Sequence, residues 1–87
     1  MRSLNFLYQS DMSHRAIAVY MYLDDRANIL GECWPSIQTM SLELKMSPST
    51  IRRALRELRK SGYLETAQRY RRNGGDSSLL YRLKGNP

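Results

Sequence analysis

The stretch from Ser47 to Gly62 constrains the fold of this chain more than any other. Its apolar residues repeat at the spacing that forms one buried stripe along a helix; they are Ile51, Ala54, Leu55 and Leu58. Ser47 can accept hydrogen bonds from the first free amides, and Pro48 suits the first helical position, where it loses no hydrogen bond. Gly62 supplies the left-handed residue that commonly follows a helix. These signals predict a helix over 48–61 that packs one face against a core.

The other face of that helix is basic. At about 100° per residue, the side chains that project away from the stripe are Ser49, Arg53, Arg56 and Lys60, flanked by Arg52 and Arg59. A shorter amphipathic segment over 36–44 comes before it, with Ile37, Met40 and Leu44 as the inward positions. A short helix, a tight turn and a second helix with outward arginines form the helix-turn-helix arrangement, which places the second helix in a major groove. The sequence therefore predicts double-stranded DNA as the partner.

The charge distribution supports the same prediction. Residues 45–72 hold nine basic and two acidic side chains, a net charge of +7, whereas residues 1–44 hold three basic and five acidic ones, a net charge of −2. Residues 73–87 add +1, which gives the overall +6. A surface that is merely solvated would mix the two signs. A concentration of positive charge on and after the second helix is typical of nucleic-acid binding.

Length and composition set limits on the other classes of protein. A chain of 87 residues without repeats or linkers predicts a single domain over 1–87. The longest apolar run, Ala16 to Leu23, is too short to span a bilayer and lacks a signal cleavage site, so we expect a cytoplasmic protein without a membrane partner. The lone Cys33 and the lone His14 exclude an internal disulfide and a structural zinc site. No cofactor or small-molecule ligand is expected.

The remaining segments complete a mainly α fold with a small antiparallel β-hairpin. An apolar arm over 1–10 contains Leu4, Phe6, Leu7 and Tyr8. A first helix over 13–27, capped by Asp11 or Ser13, turns Ala16, Val19, Tyr20 and Leu23 towards the core. The residues from Gly31 to Trp34 are expected to form a loop that leads into a short extended piece, since Pro35 favours extended geometry just before it.

The C-terminal hairpin is predicted over 63–84. Its strands run from Tyr63 to Arg71 and from Leu79 to Lys84, and a glycine-containing turn over 73–76 joins them. Four side chains are expected to cover the helices: Leu64, Leu79, Tyr81 and Leu83. The order of three helices and a basic hairpin resembles a winged helix-turn-helix domain, in which the hairpin would be the wing.

The chain resembles a family of small winged-helix domains found in phage and plasmid replication proteins and in short regulators of bacterial mobile elements. The resemblance is carried by the stretch from Glu32 to Thr39 and by the stretch from Met46 to Leu55. It continues from Leu58 to Leu64, which includes Gly62-Tyr63-Leu64, and from Ser77 to Leu83, and it covers about residues 13–84. Two positions depart from the family pattern, which favours alanine where Ser41 stands and glycine where Lys45 stands.

The resemblance implies a role for each residue of the interface. Contacts to the DNA backbone are expected at the starts of the helices over 36–44 and 48–61. The residues are Ser36, Gln38 and Thr39 in the first helix and Ser47, Ser49 and Thr50 in the second. Arg52 and Arg53 are the expected base readers, because arginine can form two hydrogen bonds to guanine. Arg56 and Lys60 are expected on phosphates, and the wing residues Arg69, Arg71 and Arg72 in or beside the adjacent minor groove. For each serine and threonine, simple helix capping is an equal alternative.

Other functions are less well supported. An enzyme is not expected, since neither a metal-ligand cluster nor a phosphate-binding glycine loop is present, and Asp11, Ser13 and His14 mark a helix start better than a catalytic triad. We expect a transcription regulator, with an accessory replication factor or a protein-interaction module as alternatives. RNA is disfavoured because a helix cannot enter the deep groove of duplex RNA. The apolar first helix and the arm predict a homodimer, with an arm that covers its own chain as the alternative.

Overall fold

The computed structural model describes residue 7, residues 10–67 and residues 79–84. Three helices occupy the first two thirds of the chain: α1 (His14–Arg26), α2 (Ile37–Leu44) and α3 (Pro48–Lys60). Three short strands accompany them: β1 (Glu32–Cys33), β2 (Leu64–Ala67) and β3 (Leu80–Leu83). Among the described residues, no helix is both long enough and apolar enough to cross a membrane.

A serine caps each helix at its N-terminus. The hydroxyl oxygens of Ser13, Ser36 and Ser47 accept hydrogen bonds from the amides of Ala16, Thr39 and Thr50, respectively. Each bond satisfies one of the amides that the first helical turn leaves free. At the end of α3, Gly62 has φ +86°, and Tyr63 N–H donates to the Leu58 carbonyl at 3.0 Å. This is the glycine-terminated helix end that the sequence predicts.

The sheet contains a strand that the sequence analysis placed in a loop. The strand order is β1-β3-β2 and both pairs are antiparallel. Glu32 pairs with Arg82 and Cys33 with Tyr81. The predicted loop over Gly31 to Trp34 is therefore wrong, because its middle two residues extend the hairpin into a three-stranded sheet. β3 lies at the centre and pairs on its other side with β2.

The core lies between the helices and one face of the sheet. All four predicted residues of α1 and all four of α3 are buried, and Met40 joins them from α2. The sheet contributes Cys33, Leu64, Tyr81 and Leu83. Leu79 is the exception, because its side chain is 38% exposed. The prediction that Leu79 covers the helices is therefore wrong; the residue precedes β3 and lines the edge of a surface cleft.

The arm contributes one described residue, and it belongs to the core of its own chain. Leu7 is fully buried, and its carbonyl accepts hydrogen bonds from the amide and hydroxyl of Ser10. The other apolar arm residues, Leu4, Phe6 and Tyr8, lie outside the described part of the chain. Within a single chain, at least one side chain of the arm is thus already covered.

The turn between α2 and α3 passes through a left-handed residue. Lys45 has φ 58° and ψ 42°, and it is the only non-glycine residue with positive φ in the described part of the chain. The family pattern favours glycine here for that reason. Ser41, the other departure from the pattern, donates a hydrogen bond from its hydroxyl to the Met46 carbonyl. Ser41 therefore ties α2 to the turn that Lys45 forms.

Candidate nucleic-acid interface

Helix α3 presents five basic side chains to solvent. They are Arg52, Arg53, Arg56, Arg59 and Lys60, and all are exposed. The ion pairs found among the described residues involve other cations, namely Arg26, Arg82 and Lys84. A row of cations without carboxylate partners can bind an anion without first breaking an internal ion pair. The buried stripe of α3 fixes its orientation, so these charges stay on the surface.

Glu57, the acidic residue of α3, is directed away from the basic face. Its carboxylate accepts hydrogen bonds from the Ser13 amide and the Ser13 hydroxyl, both at 2.8 Å. The bond from the amide, with that from the hydroxyl, lowers the pKa of Glu57 below its ordinary value. Glu57 thus links α3 to the start of α1 as an anion and does not neutralise the arginines. No local pattern in the sequence predicts this contact.

The serine and threonine at the start of α2 form a bonded pair. Ser36 Oγ accepts from Thr39 N at 3.0 Å and donates to Thr39 Oγ1 at 2.9 Å. Both hydroxyls take part in the cap, yet the proton of the Thr39 hydroxyl remains available for another acceptor. Capping and phosphate contact are therefore compatible at this helix start.

The start of α3 repeats the arrangement. Ser47 Oγ accepts from Thr50 N at 3.2 Å and lies 2.9 Å from Thr50 Oγ1. The starts of α2 and α3 thus carry the same pair of solvent-accessible serine and threonine hydroxyls. Ser49, which the sequence also assigned to this interface, is exposed in the first turn of α3. Helix starts of this kind favour a phosphate group.

Four of the predicted site residues line one cleft. Ser36 and Gln38 from α2 meet Arg52 and Arg56 from α3 across an open space of about 620 Å³. Lys60 shares a neighbouring cleft of about 710 Å³ with Arg56 and strand β2. Thr39, Ser47, Ser49, Thr50 and Arg53 line neither cleft. The predicted wing residues Arg69, Arg71 and Arg72 lie outside the described residues.

Arg59 is a functional candidate that the predicted site omitted. It lines both clefts and lies close enough to Tyr81 for its charge to act on that phenol. Burial raises the pKa of Tyr81 and the Arg59 charge partly opposes that rise. The sequence does contain a signal for Arg59. Arg52 and Arg59 are seven positions apart, so both lie on one side of the helix. That side faces the sheet.

The exposed face of the sheet carries balanced charge instead. Arg82 on β3 lies 2.7 Å from Glu32 Oε2 on β1 and 3.6 Å from Glu65 Oε1 on β2. Lys84 lies 3.6 Å from the other oxygen of Glu65. These opposite charges are in register across the strands, which stabilises the sheet. The excess positive charge of the described residues is therefore concentrated on α3.

Cys33 is a packing residue in this structure. Its side chain is buried, and its Sγ donates a long hydrogen bond of 3.5 Å to the Leu23 carbonyl. Burial, together with the negative charge of Asp24, raises the pKa of the Cys33 thiol to about 11. At neutral pH the group is therefore a protonated thiol inside the core.

Comparison with known proteins identifies the family. Residues 10–64 match the model of a family described as a helix-turn-helix domain. The match runs from before α1 to the first residue of β2, which is more than half of the chain, so the chain belongs to the helix-turn-helix domain family. The predicted resemblance is thereby confirmed.

Two individual proteins are also similar. Protein YmfN of Escherichia coli (strain K12) is 36% identical over 69 residues, which are 79% of this chain and 15% of that protein. A possible transcriptional regulator from Methanosarcina mazei Go1 shares the fold with a TM-score of 0.65 at 18% identity, over 87% of this chain and 59% of that one. The chain thus spans less than two thirds of either protein. Together with the three helices and the antiparallel sheet, the structural match confirms the predicted winged helix-turn-helix fold class.

Proposed function

We propose that the chain is a sequence-specific double-stranded DNA-binding protein that places α3 in the major groove. The observation that carries this proposal is the set of five exposed cations on α3, none of which pairs with a carboxylate in the described part of the chain. A helix about 10–12 Å across fits the major groove of B-DNA. Membership of the helix-turn-helix domain family also supports the placement of α3, the second helix of the motif, in the major groove.

The roles of the individual residues follow from their positions. Arg53 projects opposite the buried stripe of α3 and is our candidate base reader, with Arg52 beside it. Arg56 and Lys60 bind phosphates farther along the same helix. The hydroxyls and amides of the two helix starts bind the DNA backbone through Ser36, Gln38 and Thr39, and through Ser47, Ser49 and Thr50. Arg69, Arg71 and Arg72 lie outside the described residues, and their assignment to the adjacent minor groove rests on the resemblance alone.

We propose a transcription regulator as the cellular role, with accessory replication factor of a mobile element as the alternative. The description of the Methanosarcina mazei protein as a possible transcriptional regulator supports the first role. In Protein YmfN the similar stretch is a small part of a much longer chain, so a domain of this kind also occurs within a larger protein. Mapping the genomic fragments that the protein binds would separate the roles: promoters favour regulation, and an origin of replication favours the alternative.

The DNA proposal is tested by the salt dependence of binding. If five to seven phosphates are neutralised, log K falls against log salt with a slope of about −5 to −6. Fluorescence anisotropy with a mixed genomic duplex measures this slope. Lys84→Ala is the matched control, because it removes a cation that pairs with Glu65 outside α3 and should leave the slope nearly unchanged. A flat salt response, or no binding at low salt, would overturn the proposal.

We also propose a homodimer through α1 and the arm. Pairing of this kind would place two recognition helices on one face of a palindromic site. The supporting observation in the described residues is Met21, whose side chain on α1 is 42% exposed. Ile17 and Tyr22 pack partly against the core of their own chain, and Leu7 is buried there. The surface left for a second copy is thus smaller than the sequence predicts.

A further inference from the structure

The cleft between α2, α3 and the sheet has an apolar floor. Ile37 from α2, Leu55 from α3 and Tyr81 from β3 lie at its base, and its volume is about 620 Å³. Leu55 and Tyr81 are nearly inaccessible to solvent, so the floor is a fixed part of the core. Cavities that bind small molecules typically measure about 300–1,000 Å³ and are lined mainly by apolar side chains. The volume of this cleft lies within that range, and its lining combines five apolar residues with six polar or charged ones.

The rim of the same cleft is cationic. Arg52, Arg56 and Arg59 all line it, and none of them forms an ion pair with an acid in the described part of the chain. A guanidinium binds a carboxylate or sulfonate through two parallel hydrogen bonds. Ser36 and Gln38 add polar groups on the α2 side. A ligand therefore meets positive charge at the entrance and apolar surface below it.

We propose that this cleft binds a small organic anion that joins an aromatic or branched apolar body to a carboxylate or sulfonate group. A phosphate diester would use the guanidinium rim but would leave the apolar floor unfilled. A neutral apolar molecule would fill the floor but would leave three cations without a counter-charge. Metal cations are repelled by the rim. An amphiphilic anion satisfies both parts of the cleft.

Binding of such an anion would compete with DNA. Ser36, Gln38, Arg52 and Arg56 line the cleft and are also assigned to the DNA interface, so this consequence depends on the proposed function. An anion held between Arg52 and Arg59 would cancel positive charge on α3 and occupy space beside its outer face. The ligand would thus release the protein from DNA by direct competition, with no change of fold.

The probe 8-anilinonaphthalene-1-sulfonate has the required chemistry and fluoresces when it leaves water. We expect saturable binding of one probe per chain to the folded protein. N-phenyl-1-naphthylamine has the same apolar body without the sulfonate, and we expect it to bind at least tenfold more weakly. Equimolar sodium sulfate has the anion without the apolar body and should not displace the probe. Equal binding of the charged and uncharged probes, or displacement by sulfate, would overturn the proposal.

Two variants of α3 locate the binding site. Arg59→Gln should weaken probe binding about tenfold, the effect of losing one charge-assisted pair of hydrogen bonds. Lys60→Gln removes the same charge from the next residue, which lines the other cleft, and should change probe affinity less than about twofold. Both positions are exposed, so the fold is retained. Equal effects of the two variants would show a general charge effect and overturn the cleft as the site.

A duplex competition separates this proposal from the proposed function. If DNA binds and displaces the probe, both are supported. If DNA binds and the probe remains bound, the cleft proposal fails while the DNA proposal stands. If DNA does not bind but Arg59→Gln still selectively weakens the probe, the anion site stands and the DNA function fails.

Discussion

At the residue scale, Ser41 and Lys45 show how two departures from a family pattern can compensate each other. Lys45 adopts a left-handed conformation that strains a residue with a Cβ atom by roughly 1 kcal/mol. Ser41 stands where the family pattern favours alanine, and its hydroxyl donates to the Met46 carbonyl one residue beyond Lys45. The same turn thus contains one unfavourable backbone angle and one additional hydrogen bond. The two substitutions oppose each other within a single turn.

This compensation predicts opposite effects of two substitutions on stability. Lys45→Gly should raise the free energy of unfolding by roughly 0.5 kcal/mol, because relief of strain exceeds the added flexibility of the unfolded chain. Ser41→Ala should lower it by about 1 kcal/mol through the lost hydrogen bond. Lys45→Ala is the control, since it removes the charge but keeps the Cβ atom. Urea unfolding measures all three; an equal gain from Lys45→Ala would show that charge, not backbone strain, is responsible.

Arg53 and Lys60 project from the same outer face of α3 but are expected to read different parts of DNA. Arg53→Ala should cost about 1–3 kcal/mol of binding free energy at the preferred site and relax the preference at one base pair. Lys60→Ala should weaken binding to all sequences similarly and reduce the salt slope by about one unit. Selection of bound sequences from a random pool measures the preference. If Arg53→Ala weakens every sequence equally, Arg53 is a phosphate contact.

At the scale of elements, the three helices could be predicted from the sequence, whereas the strand β1 could not. Each helix carries its own local signals: a serine cap, an apolar repeat and, after α3, a glycine. β1 has only two residues, and its hydrogen-bonding partner β3 begins nearly fifty positions later. The Ser13–Glu57 contact likewise joins residues 44 positions apart. Neither contact has a local pattern that could reveal it.

The candidate site likewise contains residues that the sequence alone predicts and one residue whose role depends on the fold. The basic face of α3 follows from helical periodicity alone, so Arg53, Arg56 and Lys60 could be assigned before the fold was known. The sequence places Arg59 beside the basic face of α3, but its significance depends on Tyr81 and on the cleft between α3 and β3, which only the fold reveals. Predictions from one helix identify the side chains it exposes. They do not identify what faces those side chains.

The Ser13–Glu57 contact predicts a pH dependence of stability. The pKa of Glu57 is lowered in the folded state, so the contact stabilises the fold fully above the unfolded-state pKa of about 4.3 and loses this contribution as pH falls through the lower folded-state value. Glu57→Gln should lower the free energy of unfolding by roughly 1 kcal/mol near pH 7, since a neutral amide is a weaker acceptor.

The measurement is urea unfolding of the unmodified protein and the Glu57→Gln variant between about pH 7 and pH 3. The difference in unfolding free energy between the two should be constant down to about pH 5 and shrink below that. Glu65→Gln serves as the control, because that carboxylate is exposed and contacts only exposed cations on the sheet. A difference for Glu57→Gln that stays constant to pH 3 would contradict the assigned role of the carboxylate.

At the scale of the whole molecule, the positive charge is distributed unevenly. Five exposed cations without an ion-pair partner among the described residues lie on α3, while the exposed sheet face and the α1–α2 junction carry balanced pairs. At that junction Arg26 donates two hydrogen bonds of 3.0 Å to Glu43, and Tyr22 donates a third. The paired charges of the sheet and of the α1–α2 junction therefore attract a DNA duplex less than the cations of α3 do. Met21, whose side chain is 42% exposed, lies on a different helix, α1.

The proposed homodimer is expected to be weak. A stable protein interface buries about 800 Å² on each partner, and α1 retains only Met21 as a large exposed apolar side chain among its residues. The arm residues outside the described chain would have to supply most of the remaining area. We therefore expect the mass measured by light scattering to rise from one chain towards two chains as concentration increases through the micromolar range.

Met21→Glu should hold the mass at one chain at every concentration, because pairing across the two-fold axis would bring the new carboxylates together within an apolar contact. Ile29→Glu is the matched control: Ile29 lies between α1 and β1 with its side chain 99% exposed, so the same apolar-to-acidic change there should leave pairing intact. A mass of one chain for the unmodified protein at all concentrations would exclude the dimer in solution. Equal loss of pairing in both variants would instead place the contact across the α1–β1 turn or attribute it to net charge.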